Sequence, residues 1–227
     1  MKLKSITRIV AFGLWTALTL GGSIWGFLVI LGNNSVSQFS NIRLDFIPSS
    51  MGVITILTVF LCGGGLWGLG IARLMNGNTR SMIKACALSW SGPVFIFLLS
   101  GGGGFGHIIL LPNSINHFEH YNFLLIFVAA ISVITAINAY VVTGKLGFKE
   151  LRKSVGLYTG LAAALGFLAV GLILLYAFGE EVGKLVPVKH GMLLIFLICS
   201  IGAALSGGMA MGWRLEKLRN SRFLLEP

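Results

Sequence analysis

The chain has 227 residues, of which 56% are hydrophobic and only 11% charged, with a formal net charge of +10 and a mean hydropathy of +0.89. Soluble domains carry about a quarter charged residues, so this composition excludes an ordinary water-soluble globule and points to an all-α, polytopic membrane protein. Three cysteines, Cys62, Cys86 and Cys199, fall inside apolar runs; an odd count there excludes a disulfide framework and reads as small core residues.

A span needs about 20 apolar residues to cross the hydrocarbon layer. Six stretches meet that need: residues 9–31, 51–72, 85–106, 123–143, 155–178 and 191–213, all within a single membrane domain covering 1–227. None holds Asp, Glu, Lys or Arg. All six are expected to be helices, since a lone segment in lipid can pair its backbone no other way.

The first span follows Lys2, Lys4 and Arg8, a basic start like that of a secretory signal. Its apolar run is too long for a cleaved signal, so a retained helix is expected. It carries Gly22 and Gly26 four residues apart, and the second span repeats that spacing at Gly64 and Gly68. GxxxG pairs put two patches without side chains on one face and let another helix approach closely.

The third span is unusual. It contains Gly92-Pro93 and runs into "LLSGGGGFGHIILLP", with Gly102 and Gly106 again four apart. From residue 85 to residue 100 a helix rises only ~24 Å, so the glycine tract is expected at the outer leaflet. There it forms a packing notch or, as the alternative, lines a cavity.

In the fourth span Ser132, Thr135 and Asn138 lie within an arc of ~120° on one side of the helix. They are expected to hydrogen-bond to neighbouring helices, with contact to a bound solute as the alternative. The fifth span has the small pair Gly160 and Ala164. The sixth has Gly202 with Ser206, and Gly208 with Gly212. The second span ends "GGGLWGLGIARLM" and the sixth contains "SGGMAMGWRLEKL"; three stacked helical hairpins would account for the likeness.

Charge sets the expected orientation. Fourteen of the seventeen basic residues lie at the N-terminus, in residues 73–84, in residues 144–154 and in the C-terminal tail. Only Arg43, Lys184 and Lys189 fall on the other side. Basic loops stay in the cytoplasm, so both termini are expected there, in a bacterial inner membrane. The positive balance thus reads as a topology signal, and no nucleic-acid partner is expected.

All four histidines, His107, His117, His120 and His190, fall on the expected outer side. "NHFEHY" sets His117 and His120 three apart, one helical face if that turn is helical. Such a set could hold a metal ion at the outer face or sense external acidity. Otherwise no cofactor is expected.

No P-loop, HExxH, GxSxG or paired-carboxylate site is present, so no enzymatic activity is expected. Ion-coupled carriers keep ionisable groups at membrane depth, and none is present here. The leading expectation is a non-enzymatic subunit or accessory protein that packs its glycine faces on itself or on other membrane subunits within the bilayer. The alternatives are a permease-like protein for a neutral or apolar solute and an outward metal or pH sensor.

Overall fold

The computed structural model describes residues 2–35, 50–99, 117–178 and 188–223, with side chains at 5–26, 54–94, 128–174, 176 and 195–219. Among these residues the fold is helical throughout. The helices are α1 (Lys2–Ser35), α2 (Ser50–Met75), α3 (Thr79–Leu99), α4 (His117–Lys145), α5 (Arg152–Phe178) and α6 (Val188–Phe223), with a 3₁₀ turn at Lys149–Leu151. Stretches in five of them, all but α3, are long and apolar enough to cross a membrane. Each helix outruns the span expected of it at its basic end, so the connections there are short, residues 76–78 and 146–151. Residues 101–106, with Gly102 and Gly106, lie outside the described residues. Pro93 does not end α3, which continues to Leu99.

Two short connections share one device. Asn76 (φ 53°) follows α2, and the Gly77 N–H donates to the Ala72 carbonyl at 2.8 Å. Gly147 (φ 88°) follows α4, and the Phe148 N–H donates to the Thr143 carbonyl at 3.1 Å. Both are left-handed caps that satisfy terminal carbonyls while reversing the chain. The Asn78 side chain then accepts from the Ser81 N–H at 3.0 Å and opens α3.

The helices close into a ring. Each packs on its neighbours in the chain, and α6 returns to pack on α1. Three tight seams near the basic end rest on glycines four apart. On α2, Gly64 and Gly68 face Met82, Cys86 and Trp90 of α3. On α5, Gly156 and Gly160 face Ser132 and Ala136 of α4. On α6, Gly208 and Gly212 face Phe12 and Thr16 of α1. Higher on the α5–α6 seam, Gly166 and Gly202 bring the two backbones together. Of the sequence-singled pairs, Gly26 meets Val59 of α2, and nothing lies within 4 Å of where a Gly22 Cβ would stand.

Polar links reinforce the ring. The Trp15 indole N–H donates to the Leu66 carbonyl at 3.1 Å, and that of Trp67 donates to Thr16 Oγ1 at 2.9 Å, joining α1 and α2. At the basic end Arg8 pairs with Glu216 at 3.2 Å, joining α1 to α6. Glu216 is 7% exposed and Arg8 33%. Breaking a buried pair leaves an uncompensated charge, but water reaches Arg8 and screens part of the effect. Arg8→Ala should therefore cost about 1–2 kcal/mol, and Glu216→Gln less. Thermal unfolding in detergent reads both.

The basic half of the ring is solid. Phe12, Ile71, Met82, Val142, Val155 and Leu215, one from each helix, are all at most 2% exposed and belong to one cluster. Around its rim Arg214 stacks on Tyr158 at 4.2 Å, Lys217 faces Trp213 at 5.8 Å and Arg152 covers Tyr140 at 5.0 Å. Amphipathic rings and cations of this kind suit the headgroup level.

A candidate binding cavity inside the ring

Above the plug the ring is hollow. A cavity of about 270 Å³ is lined by all six helices. An apolar cavity of ~150 Å³ already holds benzene, and small-molecule pockets begin near ~300 Å³. The space fits a compact molecule larger than benzene.

The cavity arises where small residues face inward at mid-depth. α6 presents Ser200, Ala204, Gly207 and Gly208; α4 presents Ala130 and Thr135. Larger groups bound the space: Phe60 and Trp67 of α2, Trp90 of α3, Phe196 of α6. The Trp67 and Trp90 rings sit 5.5 Å apart, tilted by 36°, and form the floor where cavity meets plug. No Asp, Glu, Lys, Arg or His is among the described lining residues, and the wall is almost wholly apolar.

Polar groups in the wall divide into two kinds. Two of the four hydroxyls turn back onto their own helix: Thr16 donates to the Phe12 carbonyl at 2.7 Å and Thr135 to the Ile131 carbonyl at 2.7 Å. This is the usual solution for Ser and Thr inside a helix. Asn138 accepts from the Ser89 hydroxyl of α3 and donates to the Ile134 carbonyl at 2.9 Å. Three groups differ. Trp90 Nε1, Thr159 Oγ1 and Ser200 Oγ are buried with no hydrogen-bond partner, in residues 6%, 4% and 0% exposed. All three residues line the cavity.

The polar stripe read from the sequence is thus split. Ser132 donates to the Gly160 carbonyl at 3.0 Å and joins α4 to α5. Thr135 and Asn138 line the cavity, and Asn138 also joins α4 to α3. Trp90, Thr159 and Ser200 were not singled out from the sequence. Thr159 and Ser200 carried a faint signal, as hydroxyls next to small-residue pairs.

His117 and His120 lie in the first turn of α4 and His190 in the first turn of α6. Their side chains, and His107 altogether, lie outside the described residues. Among the described residues no three of His, Cys, Asp and Glu come together in a way that could hold a metal ion. Cys62 is exposed on α2, whereas Cys86 and Cys199 are buried in the seams. Comparison of the chain with known protein families, with curated proteins and with solved structures finds no match.

Proposed function

We propose that this chain is an integral membrane protein that takes up a neutral, mainly apolar small molecule within its six-helix ring and acts as a permease-like carrier rather than an enzyme. The observation that carries the reading is the cavity: about 270 Å³, bounded by every helix and free of ionisable groups among its described lining residues. An ion in such a place would lose several kcal/mol of solvation with nothing to repay it. A neutral molecule meets no such barrier and restores the missing packing. The plug at the basic end supports one-sided access. With fourteen of seventeen basic residues at that end, we place it in the cytoplasm and the cavity towards the outer side of a bacterial inner membrane.

The competing reading, an accessory subunit docking by glycine faces, drew on Gly22, Gly26, Gly64, Gly68, Gly102, Gly106, Gly208 and Gly212. Of these, Gly26, Gly64, Gly68, Gly208 and Gly212 pack against helices of this same chain, Gly22 meets nothing, and Gly102 and Gly106 lie outside the described residues. That leaves the cavity as the feature with no structural role of its own, and it favours the carrier.

Native mass spectrometry of the detergent-purified protein tests the reading. The wild type should retain a small neutral adduct or accept an added apolar probe. Ala204→Phe and, independently, Leu20→Trp place bulk in the cavity and should abolish the adduct with the ring still folded. A wild type that holds nothing and accepts nothing ends the proposal.

A further inference from the structure

The three unpartnered polar atoms say more about the molecule inside. Among the described residues many Ser and Thr hydroxyls bond back to the carbonyl four residues earlier, Thr16, Thr19, Ser23, Ser91, Thr143 and Ser206 among them. Thr159 and Ser200 sit in the same kind of helix and decline that bond. Trp67 and Trp90 form a pair, yet only Trp67 has an acceptor, the Thr16 hydroxyl. A buried polar group without a partner is uncommon and calls for a cause. Here three of the four such atoms among the described residues belong to one cavity wall.

Their depths are related. A Cβ at Gly63 would meet both Ser23 and Trp90, and a Cβ at Gly21 would meet Ile201. Ser23 and Gly21 are two residues apart, so Trp90 and Ser200 lie within about one turn of each other in depth, on helices three places apart in the ring. A Cβ at Gly207 would meet the Thr159 carbonyl at 3.4 Å. Thr159 is therefore about 10 Å nearer the basic end than Ser200, the rise over the seven residues from 200 to 207. All three atoms are themselves covered, so a side chain must turn for any of them to meet a guest. An indole N–H can only donate, whereas a hydroxyl donates and accepts.

Resting on the cavity reading above, we infer that the bound molecule is an apolar body carrying a neutral oxygen acceptor, a carbonyl, ether or hydroxyl, which takes the Trp90 indole N–H, with Ser200, at a similar depth, as a further partner. A pure hydrocarbon would leave all three groups unpaired. A carboxylate or phosphate would bring a charge to a wall with no cation on it.

The test uses two probes of nearly one shape, benzophenone and diphenylmethane, which differ by a carbonyl in place of a methylene. Binding to the full chain in mild detergent is read as the dose-dependent rise in unfolding temperature, with native mass spectrometry as a second measurement. The wild type should bind benzophenone about five to ten times more tightly, the worth of one net hydrogen bond. Trp90→Phe keeps the ring and removes the N–H. It should bring the ratio to about one by weakening benzophenone alone, and Ser200→Ala should reduce the ratio in part. Equal binding of the two probes by the wild type, or a ratio that survives Trp90→Phe, overturns the inference and leaves the cavity reading standing. Failure of both probes to bind overturns the two together.

Discussion

Gly68→Ala should lower the unfolding free energy of the detergent-solubilised protein by about 2–3 kcal/mol, while Gly22→Ala should leave it unchanged or raise it by up to about 1 kcal/mol. The chemical change is the same single methyl. At Gly68 the new Cβ would stand 2.8 Å from the Met82 carbonyl oxygen and 2.9 Å from Cys86 Cβ. Backbone cannot turn aside as the end of a side chain can, so α2 and α3 must separate. Separation also loosens the Gly64 contact with Trp90, one turn away, and with it the cavity floor. At Gly22 nothing lies within 4 Å, so alanine meets no obstacle and keeps its helix advantage. Equal thermal shifts for the two variants would mean that the α2–α3 seam is not as close as described. Gly212→Ala, 2.8 Å from Phe12 Cβ, should resemble Gly68→Ala by opening α6 from α1.

The second expected result has the opposite sign to most substitutions. Thr159→Val and Ser200→Ala should each stabilise the ligand-free protein, by about 1–2 kcal/mol. A buried hydroxyl without a partner bears a desolvation cost and returns nothing for it. Valine keeps the shape of threonine, so Thr159→Val removes that cost without opening space. Ser200 lies on the wall, and alanine there only enlarges a cavity that already exists. The comparison is Thr143→Val, where the hydroxyl donates to the Ala139 carbonyl at 2.6 Å. That variant should be neutral or destabilising. Thermal unfolding without added ligand separates the three. If Thr159→Val and Ser200→Ala destabilise like ordinary core substitutions, the hydroxyls have partners and the cavity loses its polar contacts.

Much of this architecture could be read from the residues alone. Helices follow from the solvent: a chain with so little charge must satisfy its backbone within each apolar segment. The notches at Gly64, Gly68, Gly208 and Gly212 were legible because close approach needs small side chains at one spacing. Gly156 and Gly160 have the same spacing and escaped notice, with Gly160 paired instead to Ala164. The order of packing was not legible. In a soluble protein hydropathy separates inside from outside, but here Leu165 faces outward and Phe167 inward with equal hydrophobicity. Inward faces are marked instead by glycine, alanine and hydroxyls, a weaker code. The cavity had no linear signature at all, being a volume that six helices fail to fill. Sequence reasoning placed a conceivable cavity at residues 101–104, which lie outside the described residues; the described cavity runs from Trp90 across to Ser200.

The seam between α1 and α6 has a consequence for how the molecule is made. Arg8 and Glu216 are 208 positions apart. At the ~5–20 residues per second of a working ribosome, the first helix waits about 10–40 s for its last neighbour to emerge. Until then the nascent chain is an open horseshoe in the bilayer, and its hollow is filled by acyl tails. The final helix must displace those tails as it closes the ring.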